Sequence, residues 1–146
     1  MGNLKKVLLI GFALLAAGCQ SSAEDPGNPD ANDDDSSGRD RIFNRHGEIE
    51  NLDRFERFLS YVDQGQEDAI RIVNYTTEGD PIYQDLTFNG EMIQYVYDSS
   101  KDDYGSGEVM ELTCTSIEKV EQADFTDYVL AECDSDMNPL ILSIGK

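Results

Sequence analysis

The sequence predicts an α+β domain: one N-terminal amphipathic helix packed on a mostly antiparallel meander sheet of about five to six strands. Three observations predict it. Leu52, Phe55, Phe58, Leu59 and Val62 recur at helical spacing. The runs that follow are rich in β-branched and aromatic residues and are broken by turn signals, and Asn89-Gly90 lies between two of them.

In chain order, the helix has Asn51 to cap its start and Gly65 to take the left-handed position after its end. The periodicity supports about three to four turns, and the aromatic stripe reads as core. Ala69 to Thr77 forms the first strand, and a Glu78-Gly79-Asp80-Pro81 turn leads to a second from Ile82 to Phe88. A type I′ turn on Asn89-Gly90 sets Leu86 opposite Ile93, Gln84 opposite Tyr95 and Ile82 opposite Tyr97. One face of this hairpin then carries Ile82, Leu86, Phe88, Ile93, Tyr95 and Tyr97, and seats the helix. Asp98 to Glu108 is polar and glycine-containing, an exposed loop. Val109 to Val120 and Phe125 to Cys133 make a second hairpin around Glu121 to Asp124, in a register that brings Cys114 opposite Cys133. Leu140 to Ile144 supplies the last strand.

Before this unit, residues 41–146, the chain reads as a signal over residues 1–18 and a tether over residues 19–40. Lys5 and Lys6 precede an apolar run from Val7 to Ala17, and Gly18 stands directly before Cys19. The run is shorter than the ~20 residues a membrane-spanning helix needs, so it reads as a cleavable export signal. Leu15-Ala16-Ala17-Gly18-Cys19 resembles a bacterial lipobox, with its leucine one place further from the cysteine than the pattern favours. The resemblance implies a diacylglyceryl group on the Cys19 thiol and a lipid-anchored, extracytoplasmic protein. Two acyl chains, each contributing about 0.8 kcal/mol per buried methylene, suffice for stable anchoring.

Residues 20–40 hold two prolines, two glycines, seven acidic residues and no large apolar side chain, which suits a disordered acidic tether. Asp30, Asn32 and Asp34 share the alternate-position spacing of a calcium loop. The positions that need glycine and a final acid are Asp35 and Arg41, so the segment reads as a solvated linker.

The formal net charge is −19, and loss of Lys5 and Lys6 with a signal would make it more negative. Such a chain repels nucleic acid and anionic headgroups, which excludes nucleic-acid binding. Its partners are expected to be the membrane, through the lipid, and a basic protein or cell-wall component. Of three cysteines, assigning Cys19 to lipid leaves Cys114 and Cys133, which an oxidising compartment would join.

For chemistry, the single histidine, His46, stands where tether meets domain and reads as a packing or turn residue. No zinc spacing and no phosphate-binding glycine loop is present, so neither metal nor cofactor is expected. Asp80, Asp85, Asp98, Asp102 and Asp103 are the carboxylates nearest a conceivable acid–base site. Asp98, Asp102, Asp103 and Tyr104 also form a candidate cation or partner loop on the sheet.

His46-Gly47, Arg71-Ile72-Val73-Asn74-Tyr75-Thr76, Glu78-Gly79-Asp80-Pro81-Ile82, Asp85-Leu86, Asp98, Tyr104-Gly105 and the Cys114/Cys133 pair carry a further likeness. The block from His46 to Cys133 resembles a domain-of-unknown-function family found in lipoproteins of Bacillus and related bacteria. That resemblance implies location and architecture and supplies no reaction. The sequence therefore points to a non-catalytic, lipid-anchored binding or cell-envelope accessory domain. A carboxylate-based hydrolase acting on cell-wall material and a calcium-dependent binding module are the alternatives.

Overall fold

The computed structural model describes residues 40–146. The expected signal, Cys19 and the expected tether lie outside the described residues, apart from Asp40. Eight strands form one sheet: β1 (Arg41–Arg45), β2 (Glu48–Glu50), β3 (Asp68–Tyr75), β4 (Pro81–Phe88), β5 (Ile93–Asp98), β6 (Val109–Glu121), β7 (Phe125–Cys133) and β8 (Leu140–Gly145). Among the described residues one helix forms, α1 (Leu52–Asp63), between β2 and β3. The spatial order is β2-β1-β3-β4-β5-β6-β7-β8, and the sheet curls into a nearly closed barrel.

This corrects the expected fold class. The domain is mostly sheet, with eight strands rather than five or six, and its helix is not the N-terminal element. β1 pairs parallel to β3, so β2 and α1 form the crossover between them, while every later pairing is antiparallel. β1 and β2 escaped the sequence reading because RIFNR and EIE are short and half charged. Only Ile42, with no exposed surface, marks β1 as core.

The helix forms where expected, and Gly65 takes a left-handed φ of 67° just after it. Asn51 holds the N-cap position but makes no side-chain cap bond; its Nδ2 donates instead to the Arg41 carbonyl at 2.8 Å, tying the helix start to β1. Phe55 and Phe58 are fully buried, and Phe55 meets Tyr128 of β7 edge-on at 5.1 Å. One helix thus touches both halves of the curled sheet, whose core runs from Ile42 through Ile72, Leu86 and Ile93 to Leu130 and Leu142. Arg54 is buried on the same helix. Its guanidinium donates to both Asp68 oxygens at 2.8 and 2.7 Å, to the Ala69 carbonyl at 2.9 Å and to Asp40 at 2.8 Å.

The β4–β5 register differs from expectation by two residues: Phe88, not Leu86, faces Ile93. The connection is a four-residue loop in which Asn89 donates its N–H to the Met92 carbonyl and accepts from Glu91 and Met92 on its own side chain, at 3.0 and 2.8 Å. Strand side chains alternate with a period of two, so the slip keeps every residue on its expected face. The β6–β7 register is as expected, with Cys114 opposite Cys133, and the two form a disulfide. Cys114 also pairs with Ile93, which makes it the residue at which β6 exchanges β5 for β7 as its neighbour.

Beyond that point Glu121 gathers the chain end. Its carboxylate meets Lys119 at 2.6 Å, Lys146 at 3.0 Å and the Thr126 hydroxyl at 3.1 Å. Lys119, Lys146 and Thr126 together hold the Glu121 carboxyl down to about 2. A depressed carboxylate stabilises the fold above its unfolded value of about 4.3, and that contribution fades as pH falls toward the folded value. Glu121→Gln is therefore expected to flatten the acid limb of stability between about pH 4 and pH 2, measured by urea midpoints at each pH. The group is exposed, so added salt shrinks the difference.

Candidate functional site

The inner face of the barrel changes character along its strands. At the end holding the β4–β5 turn, Phe88, Ile93 and Cys114 are sealed, and the next row of Ile70, Leu86, Tyr95 and Leu112 is closed as well. Here the helix end closes the barrel, and a Cβ on Gly90 would stand 3.3 Å from the Gly65 carbonyl oxygen. Toward the other end the inward positions become Gln84, Tyr97 and Met110, then Asn44, Asn74 and Ile82. All of these except Gln84 are partly exposed. The barrel opens at this end and its lining turns polar.

One short hydrogen-bonded chain stands at the mouth and a second lies buried beneath it. Asn44 Nδ2 donates to Asn74 Oδ1 at 2.9 Å, and Asn44 Oδ1 accepts the Gly47 N–H at 2.9 Å. Tyr95 donates its phenol proton to Gln84 Oε1 at 3.1 Å, and burial together with the nearby Tyr97 pushes the Tyr95 phenol far up, so it stays a neutral donor. The sequence reading placed Asn74, Gln84 and Tyr95 in strands but singled out none of them, nor Asn44, as a site residue, although a signal existed. Asn74 and Gln84 interrupt the inward phase of two strands that are otherwise apolar at those positions.

The rim is built by three connections: the β1–β2 turn, the β3–β4 turn and the β5–β6 loop. His46 lies in the first with a φ of 55°, a turn residue. In the second, the Thr76 N–H donates to the Asp80 carbonyl at 2.9 Å and Gly79 takes a φ of 97°. Asp80 then accepts the Asp103 N–H at 3.2 Å, which docks this turn on the loop. Ser99 and Glu108 latch the base of the loop through backbone and hydroxyl bonds between 2.9 and 3.1 Å.

The four loop residues singled out from sequence lie in one connection, but the carboxylates of Asp98 and Asp102 are engaged locally. Asp98 accepts from the Ser100 N–H at 2.8 Å, and the Ser100 hydroxyl and N–H hold its carboxyl below the usual range. Asp102 accepts from the Tyr104 N–H at 3.0 Å and lies where a side chain on Gly105 would stand. Asp103 contributes its N–H to Asp80, and Tyr104 is 81% exposed. Asp85 is not in the mouth at all; it makes a two-bond pair with Arg71 on the outer face, at 2.6 and 2.9 Å, and Arg71 in turn covers the Tyr83 ring. Among the described residues no cluster of three or more His, Cys, Asp or Glu side chains could hold a metal ion, and no helix is long and apolar enough to cross a membrane.

A family model described as Domain of unknown function (DUF4362) matches residues 39–129, more than half of the chain. The chain belongs to this family. The DUF4362 match begins just before β1 and ends inside β7, so it takes in the whole mouth and leaves Cys133 and β8 outside. No curated protein and no solved structure matches the chain.

Proposed function

We propose that this DUF4362 protein is held outside the membrane by a lipid on Cys19 and acts there as a non-catalytic binding module for cell-envelope material. One observation carries the binding reading: an apolar barrel that opens and turns polar at one end, with Asn44, Asn74, Gln84 and Tyr97 gathered there. A hydrolytic reading has less support. Asp85 is engaged by Arg71 and Asp80 by the Asp103 N–H, so the two carboxylates are not set as an acid–base pair. A calcium-dependent reading has less support for a similar reason, because Asp98 and Asp102 accept bonds from their own loop.

Export is supported by the order of Lys5, Lys6, the apolar run and Gly18-Cys19, and by a disulfide of the kind that persists in oxidising surroundings. The acidic exterior suits a basic partner or neutral wall polymer over an anionic one.

A photo-crosslinking residue at Tyr104, on the rim, tests the reading in native cells. Envelope adducts are expected from that position and none from Phe125, at the far hairpin. Equal labelling from both positions, or none from Tyr104, would contradict a binding mouth.

A further inference from the structure

Asn89-Gly90 is the one Asn-Gly step in the sequence. In the β4–β5 turn, the Asn89 side-chain carbonyl accepts two backbone N–H groups, from Glu91 at 3.0 Å and Met92 at 2.8 Å. To reach both, the side chain folds over the Gly90 peptide, which brings Cγ toward the Gly90 nitrogen. That nitrogen has no hydrogen-bond partner among the described residues, and neither has Asn89 Nδ2. Gly90 takes a φ of 95° and has no side chain to shield its N–H. Asn89 is exposed and Gly90 half-exposed, so water reaches the pair.

We infer that Asn89-Gly90 is a site of self-modification, where the folded turn promotes closure of Asn89 onto the Gly90 nitrogen and release of the side-chain amide as ammonia. Hydroxide takes the Gly90 N–H proton, the nitrogen attacks Cγ, and the carbonyl electron pair moves onto Oδ1. The new N–Cγ bond gives a tetrahedral oxyanion that the Glu91 and Met92 N–H groups hold, as paired backbone donors do in acyl transfer. Collapse breaks the Cγ–Nδ2 bond, and Nδ2 takes a proton from water and leaves as ammonia. Water then opens the cyclic imide at either carbonyl, giving aspartate or isoaspartate, with no oxidant or reductant consumed. Asn44 and Asn74 lack this arrangement, because they stand in strands and precede Arg45 and Tyr75, whose side chains crowd the attacking nitrogen.

The product alters the closed end of the barrel. Isoaspartate runs the main chain through Cβ, which lengthens the turn and displaces the carbonyl that bound Glu91 and Met92. A Cβ on Gly90 would stand 3.3 Å from the Gly65 carbonyl oxygen, so a longer turn disturbs a tight contact with the end of α1. Either product also adds a negative charge two residues before Glu91.

The test incubates the full-length chain in mildly alkaline buffer and follows, by mass, the imide and acid forms of the fragment that holds Asn89. A synthetic peptide spanning Leu86 to Gln94 serves as reference in the same buffer. The folded chain is expected to convert about tenfold faster than the peptide, which does not hold two N–H groups on Oδ1. Unfolding the same chain in guanidinium chloride should bring its rate down to that of the peptide, and Asn89→Gln should abolish the product.

A folded rate equal to or below that of the peptide would overturn the inference, since the turn would then protect Asn89. So would a product that persists in Asn89→Gln, or conversion of Asn44 and Asn74 at the same rate as Asn89.

Discussion

Arg54→Ala is expected to destabilise the domain by about 3–5 kcal/mol, read as a drop in the urea midpoint. The guanidinium is 5% exposed at its side chain and Asp68 14%, and the arginine satisfies both Asp68 oxygens and the Ala69 carbonyl at once. Removing it leaves a carboxylate in a poorly solvated place with its partner gone, and that stranded charge accounts for most of the expected loss. The bond also has an architectural role, because it joins the first turn of α1 to the first residue of β3 across the crossover. A domain of this size has total stability of about 5–15 kcal/mol, so the single variant brings it close to unfolding.

Replacing both charges with apolar residues, Arg54→Met with Asp68→Leu, is expected to recover much of the loss, because no charge is then left unpaired. A single variant that costs under about 1 kcal/mol would show that water solvates Asp68 and that the pair is not a structural bond.

The second large effect concerns Cys114 and Cys133. Joining residues separated by 19 positions restricts the unfolded chain, and replacing both by alanine is expected to cost about 2–5 kcal/mol. The position adds a consequence. Cys114 is the residue where β6 passes from β5 to β7, so the bond holds the sheet at the point where its neighbours change. Reductant should lower the unfolding midpoint of the native chain and leave the double variant unmoved. A native midpoint indifferent to reductant would contradict a stabilising disulfide.

Much of the strand content was legible because β3 to β8 are alternating or β-branched runs bounded by glycine, proline or asparagine, signals that act over a few residues. The Cys114–Cys133 register was legible for the same reason: a hairpin has one dominant local solution. The barrel was not, since its curl depends on β1, whose Ile42 and Phe43 sit among Arg41, Asn44 and Arg45 and pair with β3 across the intervening helix. The slip at Asn89 also lay beyond local pattern, because the asparagine side chain takes the place of the expected two-residue turn by accepting two backbone N–H groups.

For the candidate site, the β5–β6 loop was found from its composition, but the loop is the rim. The lining came from Asn44, Asn74 and Gln84, polar residues that read as interruptions in the sequence and acquire meaning when three strands set them side by side. Asp85 was grouped with Asp80 by proximity in sequence; strand alternation places it on the outer face with Arg71.

The most direct test of an envelope-anchored binding domain is the intact mass of the protein recovered from its native cells. The account predicts a chain that begins at Cys19, carries added acyl mass there, and has Cys114 and Cys133 joined. A chain that still begins at Met1, with no acyl mass and three free thiols, would contradict it.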